Sequence, residues 1–230
     1  MKIMGLQKLT LLDFPGRTAC TVFTAGCNFR CPFCHNASLV THIEENPSCS
    51  EEEFFKFLKK RQGILDGVCI TGGEPTLQPD LEEFIIKIKD LGYEVKLDTN
   101  GYNPKVLENL IAKGLLNYVA MDIKNSPSSY GKTVGIEQFN LAPIEESINI
   151  LKNSGVDYEF RTTVVEELHT PHDIVAIGKW ISGAKKYFLQ SFVDSGDLIK
   201  DGMHGYDKNE MEKLVKLLEK DVPTAALRGQ

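Results

Sequence analysis

Apolar and polar positions along the chain recur in one order, six times over: a short apolar run, largely β-branched, a turn, then an amphipathic stretch. The runs are Ala19–Thr24, Val68–Thr71, Glu94–Asp98, Tyr118–Ile123, Tyr158–Val165 and Tyr187–Phe192. The helical stretches are Ser50–Arg61, Pro79–Leu91, Pro104–Lys113, Leu141–Ser154, Pro171–Ile181 and Lys208–Lys220. Phe54, Phe57 and Leu58 fall at i, i+3 and i+4, as do Leu81, Phe84 and Ile85, so each set predicts the core face of a helix. Alternation of strand and helix predicts parallel strands joined by crossover helices.

Local punctuation sets the boundaries. Ser50 and Glu53 have capping-box spacing, and the acidic residues between them suit the start of a helix. Pro79, Pro104 and Pro171 stand where a first-turn proline is tolerated. Gly92, Gly114 and Gly155 follow helical stretches and read as C′ glycines. Ser126–Phe139 has no clear period and reads as a long loop after the fourth strand, mobile or facing substrate. The whole predicts a single domain over 1–230. A lead-in covers 1–16, the α/β core 17–192, and a C-terminal helix and tail 193–230.

Composition narrows the function classes. The chain has 230 residues, 42% of them hydrophobic and 25% charged, enough to bury a core without a disulfide scaffold. A net charge of −6 argues against a nucleic-acid partner, whose binding favours a basic face. No stretch has the length of a membrane span or the form of a signal peptide, so a cytoplasmic protein is expected. Six cysteines with no paired spacing suit a reducing compartment and metal or redox chemistry.

Three of those cysteines carry the candidate chemistry. Cys27-Asn28-Phe29-Arg30-Cys31-Pro32-Phe33-Cys34 spaces them C-x3-C-x2-C, with no fourth close in sequence. Structural zinc and ordinary iron–sulfur sites take four ligands. Three thiolates on a four-iron cluster leave one iron open, where a substrate can coordinate. The other reading is a zinc knuckle that borrows a distant histidine or cysteine. Cys20 and Cys69 lie inside apolar strands and read as small buried hydrophobes, and Cys49 has no evident partner. His169 and His172 read as surface or capping residues, and Trp180 as core.

The remaining unusual residues cluster at strand ends, where parallel α/β folds bind ligands. Gly72-Gly73-Glu74-Pro75 follows the second run; it is either an ordinary turn or a place where backbone approaches a ligand. Asp98-Thr99-Asn100-Gly101 follows the third, and Asp122 and Lys124 the fourth. Arg161 and Thr163 lie on the fifth, and Gln190 and Ser191 end the sixth. Asp98 and Asp122 would bracket a small cation or balance a positively charged substrate. Lys124 and Arg161 would hold a carboxylate. Groups from all six strands converge most readily if the sheet curves, so a partial barrel is favoured over a flat sheet.

Cys27–Cys34 together with Gly72-Gly73-Glu74-Pro75 resembles the radical S-adenosylmethionine superfamily. His35-Asn36 after the third cysteine, and Asp13-Phe14-Pro15-Gly16-Arg17 before the first, resemble glycyl-radical-enzyme activating proteins. The opening from Gly5 to Asn36 looks most like the anaerobic ribonucleoside-triphosphate reductase activating proteins. The resemblance implies a partial (β/α)6 barrel with parallel strands and outer helices. It implies one [4Fe-4S] cluster on Cys27, Cys31 and Cys34, whose open iron binds the amino and carboxylate groups of S-adenosylmethionine. Gly72, Gly73 and Glu74 would meet the methionine ammonium, Asn36 and Arg161 its carboxylate, and the backbone at Phe33 and His35 the adenine. Asp98, Thr99, Asp122 and the Ala120 carbonyl match a monovalent-cation site of pyruvate formate-lyase activases, with Lys124 beside it. Gln190-Ser191 stands where those activases have a histidine. The implied activity is reductive cleavage of S-adenosylmethionine to a 5′-deoxyadenosyl radical, which takes a hydrogen from a glycine of a partner enzyme. The implied partners are a glycyl-radical enzyme, with anaerobic ribonucleotide reductase first and pyruvate formate-lyase second, and a reduced flavodoxin or ferredoxin. The alternative is a radical enzyme acting on a small molecule, such as a 7-carboxy-7-deazaguanine synthase.

Overall fold

The computed structural model describes residues 1–43 and 49–229. Its centre is one eight-stranded sheet whose spatial order follows chain order. The strands are β1 (Ile3–Thr10), β2 (Ala19–Thr24), β3 (Gly67–Gly72), β4 (Glu94–Thr99), β5 (Tyr118–Asp122), β6 (Asp157–Val164), β7 (Tyr187–Ser191) and β8 (Ala225–Arg228). β1 runs antiparallel to β2, and every later pair is parallel. β1 and β8 do not pair with each other, so the sheet is open, as a partial barrel requires. The six predicted runs are β2 to β7. The lead-in and the tail each add a strand that the periodicity does not predict.

The helices are α1 (Ala37–Thr41), α2 (Glu51–Lys59), α3 (Leu81–Asp90), α4 (Pro104–Ala112), α5 (Tyr130–Val134), α6 (Ala142–Asn153), α7 (Pro171–Trp180) and α8 (Lys208–Lys216); the longer ones cover the outer face, and Val40 of α1 reaches the central cavity. The capping box at Ser50 forms, and Thr170 with Asp173 and Asp207 with Glu210 repeat it at α7 and α8. Pro104 and Pro171 open their helices; Pro79 instead lies in the turn before α3, which Asp80 precedes. Gly92 and Gly114 take the left-handed conformation, whereas Gly155 does not.

The strands are two-faced. Val68, Ile70, Val95, Leu97, Val119 and Met121 pack outward with Phe84, Ile88, Leu107 and Leu110 in the main core. The residues between them, Cys69, Lys96, Asp98 and Asp122, point inward, as the period of two dictates. The barrel interior is therefore polar, which a purely structural sheet would avoid. No helix among the described residues is long and apolar enough to cross a membrane.

Ser126–Phe139 is not a loop over the site. It holds α5, with Ser126, Tyr130, Thr133 and Val134 fully buried, and it backs the cysteine loop. The Arg30 N–H donates to the Val134 carbonyl at 2.9 Å. Phe139 stacks on Tyr130 with centroids 5.0 Å apart and meets Phe29 edge-on at 5.7 Å. Its serines are consumed in local contacts: Ser126 and Ser129 both donate to Asp173.

Candidate active site

The cysteine loop leaves β2 and is pinned to the end of β3 by backbone. The Gly73 N–H donates to the Thr24 carbonyl at 3.0 Å, and the Glu74 N–H to the Gly26 carbonyl at 2.7 Å. A Cβ on Gly73 would lie 1.9 Å from the Gly26 oxygen; one on Gly72 would lie 2.3 Å from the Thr24 nitrogen. The second glycine of the pair is thus required by this close approach, not by its dihedral angles. Asn36 adds a side-chain tie, donating to the Gly72 carbonyl at 3.0 Å.

Glu74 joins β3 to β4. It is 1% exposed, and four donors meet its carboxylate: the Thr76 N–H and hydroxyl, the Thr99 hydroxyl and the Asn100 N–H. Burial raises its pKa, although these hydrogen bonds favour the anion. Asn100 in turn donates to the Asn28 side-chain oxygen at 2.8 Å, closing a triangle between the cysteine loop and the two strand ends.

These ties surround a cavity of about 250 Å³. Cys27, Cys31 and Cys34 line it, with Phe33, His35 and Asn36. Gly72, Gly73 and Glu74 close one side, and Asp98 and Thr99 the next. Asp122, Lys124, Arg161 and Gln190 complete the wall, so all but one of the residues expected to hold the cofactors or a cation meet there. Ala120 is the exception: it is fully buried in β5, opposite Asp98 in the register, and does not line the cavity. Ser191 donates to the Tyr206 carbonyl, leaving Gln190 as the contribution of β7.

The wall opposite the thiols is a chain of opposite charges. Arg161 donates through Nε to Asp122 at 2.9 Å and through Nη1 to Asp98 at 3.1 Å. Lys124 donates to the other Asp122 oxygen at 2.9 Å. Burial disfavours both carboxylates, but Arg161, with Lys124 at Asp122 and Lys96 at Asp98, outweighs it and holds both below the usual range. Burial likewise opposes the charge on Lys124, and Asp122 overcomes it, so its pKa rises.

Two findings correct the residue-level expectations, and a third concerns a residue they passed over. His169 is fully buried: its Nδ1 accepts from the Val165 N–H and its Nε2 donates to the Lys124 carbonyl at 2.8 Å. Burial depresses its pKa, and this bonding fixes a neutral ring beneath Lys124. Cys69 is not in an apolar setting, since its sulfur lies 3.7 Å from both Lys96 Nζ and Asp98 Oδ1. Lys96 itself is 1% exposed and ion-paired with Asp98. The period-two alternation marks it: a lysine two residues before Asp98 shares the inward face of β4 and needs a partner there.

The thiols suit a cluster. They lie within electrostatic reach of one another, and burial raises Cys27 and pushes Cys31 up to about 12, so binding as thiolates must release protons. The cavity lining contains no fourth cysteine. Three thiols lining one cavity suit an iron–sulfur cluster that takes its protein ligands from cysteine.

Comparison with known proteins agrees. A putative glycyl-radical enzyme activating enzyme of Methanocaldococcus jannaschii is 32% identical over 98% of this chain and 95% of its own length. The pyruvate formate-lyase-activating enzyme of Clostridium pasteurianum is 29% identical over 73% of this chain and 70% of its own. Streptococcus suis SuiB bound to S-adenosylmethionine superposes with a TM-score of 0.70 at 14% identity, covering 90% of this chain and 49% of SuiB, a likeness of fold. The family model described as the radical SAM superfamily matches residues 21–181. With its three thiols, its glycine pair and its polar barrel wall set around one cavity, the chain belongs to the radical SAM superfamily, whose cofactors are a [4Fe-4S] cluster and S-adenosylmethionine.

Proposed function

We propose that this protein is an activase that installs a glycyl radical on a partner enzyme. Anaerobic ribonucleoside-triphosphate reductase is the first candidate partner, and a reduced flavodoxin or ferredoxin the electron donor. The observation that carries the reading is the near-complete alignment with a putative glycyl-radical enzyme activating enzyme. A pyruvate formate-lyase-type partner is the second reading, favoured by the relative of that name.

When bound, the cluster and S-adenosylmethionine supply a one-electron reductive cleavage that yields a 5′-deoxyadenosyl radical. The chain supplies position and charge. Cys27, Cys31 and Cys34 would hold the cluster. The backbone at Gly72, Gly73 and Glu74 would receive the methionine ammonium. Asn36 and Arg161 would take the methionine carboxylate, and the backbone at Phe33 and His35 the adenine, all of them lining one cavity. Lys124, fixed by Asp122 and by its own carbonyl on His169, keeps a positive charge beside the thiolates. Gln190 closes the far side.

The test is anaerobic reconstitution with iron and sulfide, followed by S-adenosylmethionine and a strong reductant. 5′-Deoxyadenosine should form, and a glycyl doublet should appear in electron resonance when the reductase is added. Cleavage with no doublet on either candidate partner would refute the activase reading. Absence of cleavage would refute the assignment of the site.

A further inference from the structure

Lys96 is a lysine in the middle of a barrel strand, with almost none of its surface in contact with solvent. Its ammonium has two acceptors: Asp98 Oδ1, with which it forms an ion pair, and the Cys69 sulfur at 3.7 Å. Cys69 stands opposite it in the β3–β4 register, and a small side chain there leaves room for the lysine to rise toward Asp98. The second oxygen of Asp98 takes Arg161, which also spans to Asp122. Between two inward carboxylates on neighbouring strands, the attraction for a cation is strong. Here that attraction is met from within: three side-chain cations, Lys96, Arg161 and Lys124, face the two carboxylates Asp98 and Asp122.

We propose that Lys96 is a positioning residue that takes the place of a monovalent cation beside Asp98, so that the S-adenosylmethionine pocket keeps its shape and charge without sodium or potassium. This rests on the reading of the cavity as the S-adenosylmethionine site. It replaces the cation site expected at Asp98, Thr99, Ala120 and Asp122 with an internal ammonium. An added ion would have to enter a wall already carrying one more positive than negative charge, at a few ångströms from Lys96 and Arg161. Lys96 touches no cofactor in this scheme; it acts through Asp98.

Two measurements on the anaerobically reconstituted full chain test this. The first is S-adenosylmethionine affinity in about 0.1 M choline chloride against KCl or NaCl of the same ionic strength, which holds screening constant. The native chain should differ less than about twofold between salts, whereas Lys96→Met should bind about tenfold more weakly in choline and regain affinity saturably with KCl. The second is sodium-23 relaxation in the presence of the protein. The native chain should show no saturable binding, and Lys96→Met should show a site that Lys96→Met/Asp98→Asn lacks. A saturable potassium or sodium response of the native chain overturns the proposal. So does a Lys96→Met protein whose lost affinity no salt restores, since a merely structural ion pair predicts that result. If the native chain bound no S-adenosylmethionine, the site reading would fall, and sodium relaxation would still decide the place of the cation. If Lys96→Met did not fold, the two native-chain measurements would decide it.

Discussion

Replacing Gly73 by alanine should separate the two loops that form the cofactor pocket. Gly73 does not have a left-handed φ, so the substitution carries no left-handed backbone penalty. The cost is contact: the new methyl carbon would lie 1.9 Å from the Gly26 oxygen and 2.6 Å from its carbonyl carbon. Ordinary van der Waals separation requires the two backbones to part by about 1.5 Å. That movement breaks the 2.7 Å bond from Glu74 to Gly26 and strains the 3.0 Å bond from Gly73 to Thr24. One to two net hydrogen bonds at about 1 kcal/mol each, and overpacking of about 1–3 kcal/mol, give a loss of about 2–5 kcal/mol. Such a loss is a large share of the roughly 5–15 kcal/mol that holds a domain folded. Gly155→Ala is the control, because nothing lies within 4 Å of its Cβ position and its φ is not left-handed. It should be neutral or stabilising by up to about 1 kcal/mol. Urea unfolding of both variants, with m-values compared, measures the difference. A Gly73→Ala protein within about 0.5 kcal/mol of the native chain would show that the loops are not held together as described.

Three further outcomes follow from particular groups. Cys27→Ser, Cys31→Ser and Cys34→Ser should each lose the iron–sulfur absorbance and most bound iron, while Cys20→Ala and Cys49→Ala keep roughly four irons per chain; loss from the latter pair would move the cluster elsewhere. Asp173, although buried, is held at about 2 against an ordinary 3.8 by donors from Ser126, Thr170 and Ser129. Its stabilisation is complete above about pH 4 and is lost as pH falls toward 2, so the native chain should lose about 2 kcal/mol more than Asp173→Asn across that window in denaturant titrations. Arg228→Ala would leave Glu159, fully buried, with Tyr118 alone as a side-chain partner, and should cost about 3 kcal/mol. Arg228→Met with Glu159→Gln should recover part of that loss in thermal unfolding, and no recovery would mean that the pair's charge is not the cause.

The six inner strands were legible because each carries its own apolar run, β-branched in most and aromatic in β7, followed by an amphipathic stretch. β1 and β8 were not. β1 is an edge strand whose Gln7, Lys8 and Leu9 are exposed, so nothing enforces alternation, and β8 has four residues, too few for any period. α5 hides in a Ser- and Gly-rich segment because its helix is stabilised by burial of Tyr130, Thr133 and Val134, not by propensity. The candidate site was visible as a set of strand ends, since parallel topology brings those ends together whatever lies between them. Its internal wiring was not: that Glu74 is spent on Thr99 and Asn100, or that His169 sits under Lys124, depends on contacts between residues 25 to 45 positions apart.

Because every strand lies beside the one before it in sequence, the sheet can be assembled as it is synthesised, each new strand docking on an edge already present. The cysteine loop has its β2 and β3 anchors before the second half of the chain has left the ribosome, and α5 backs it afterwards. Erosion from the C-terminus would then shorten the sheet one edge at a time and uncover β7, without opening a gap in its middle.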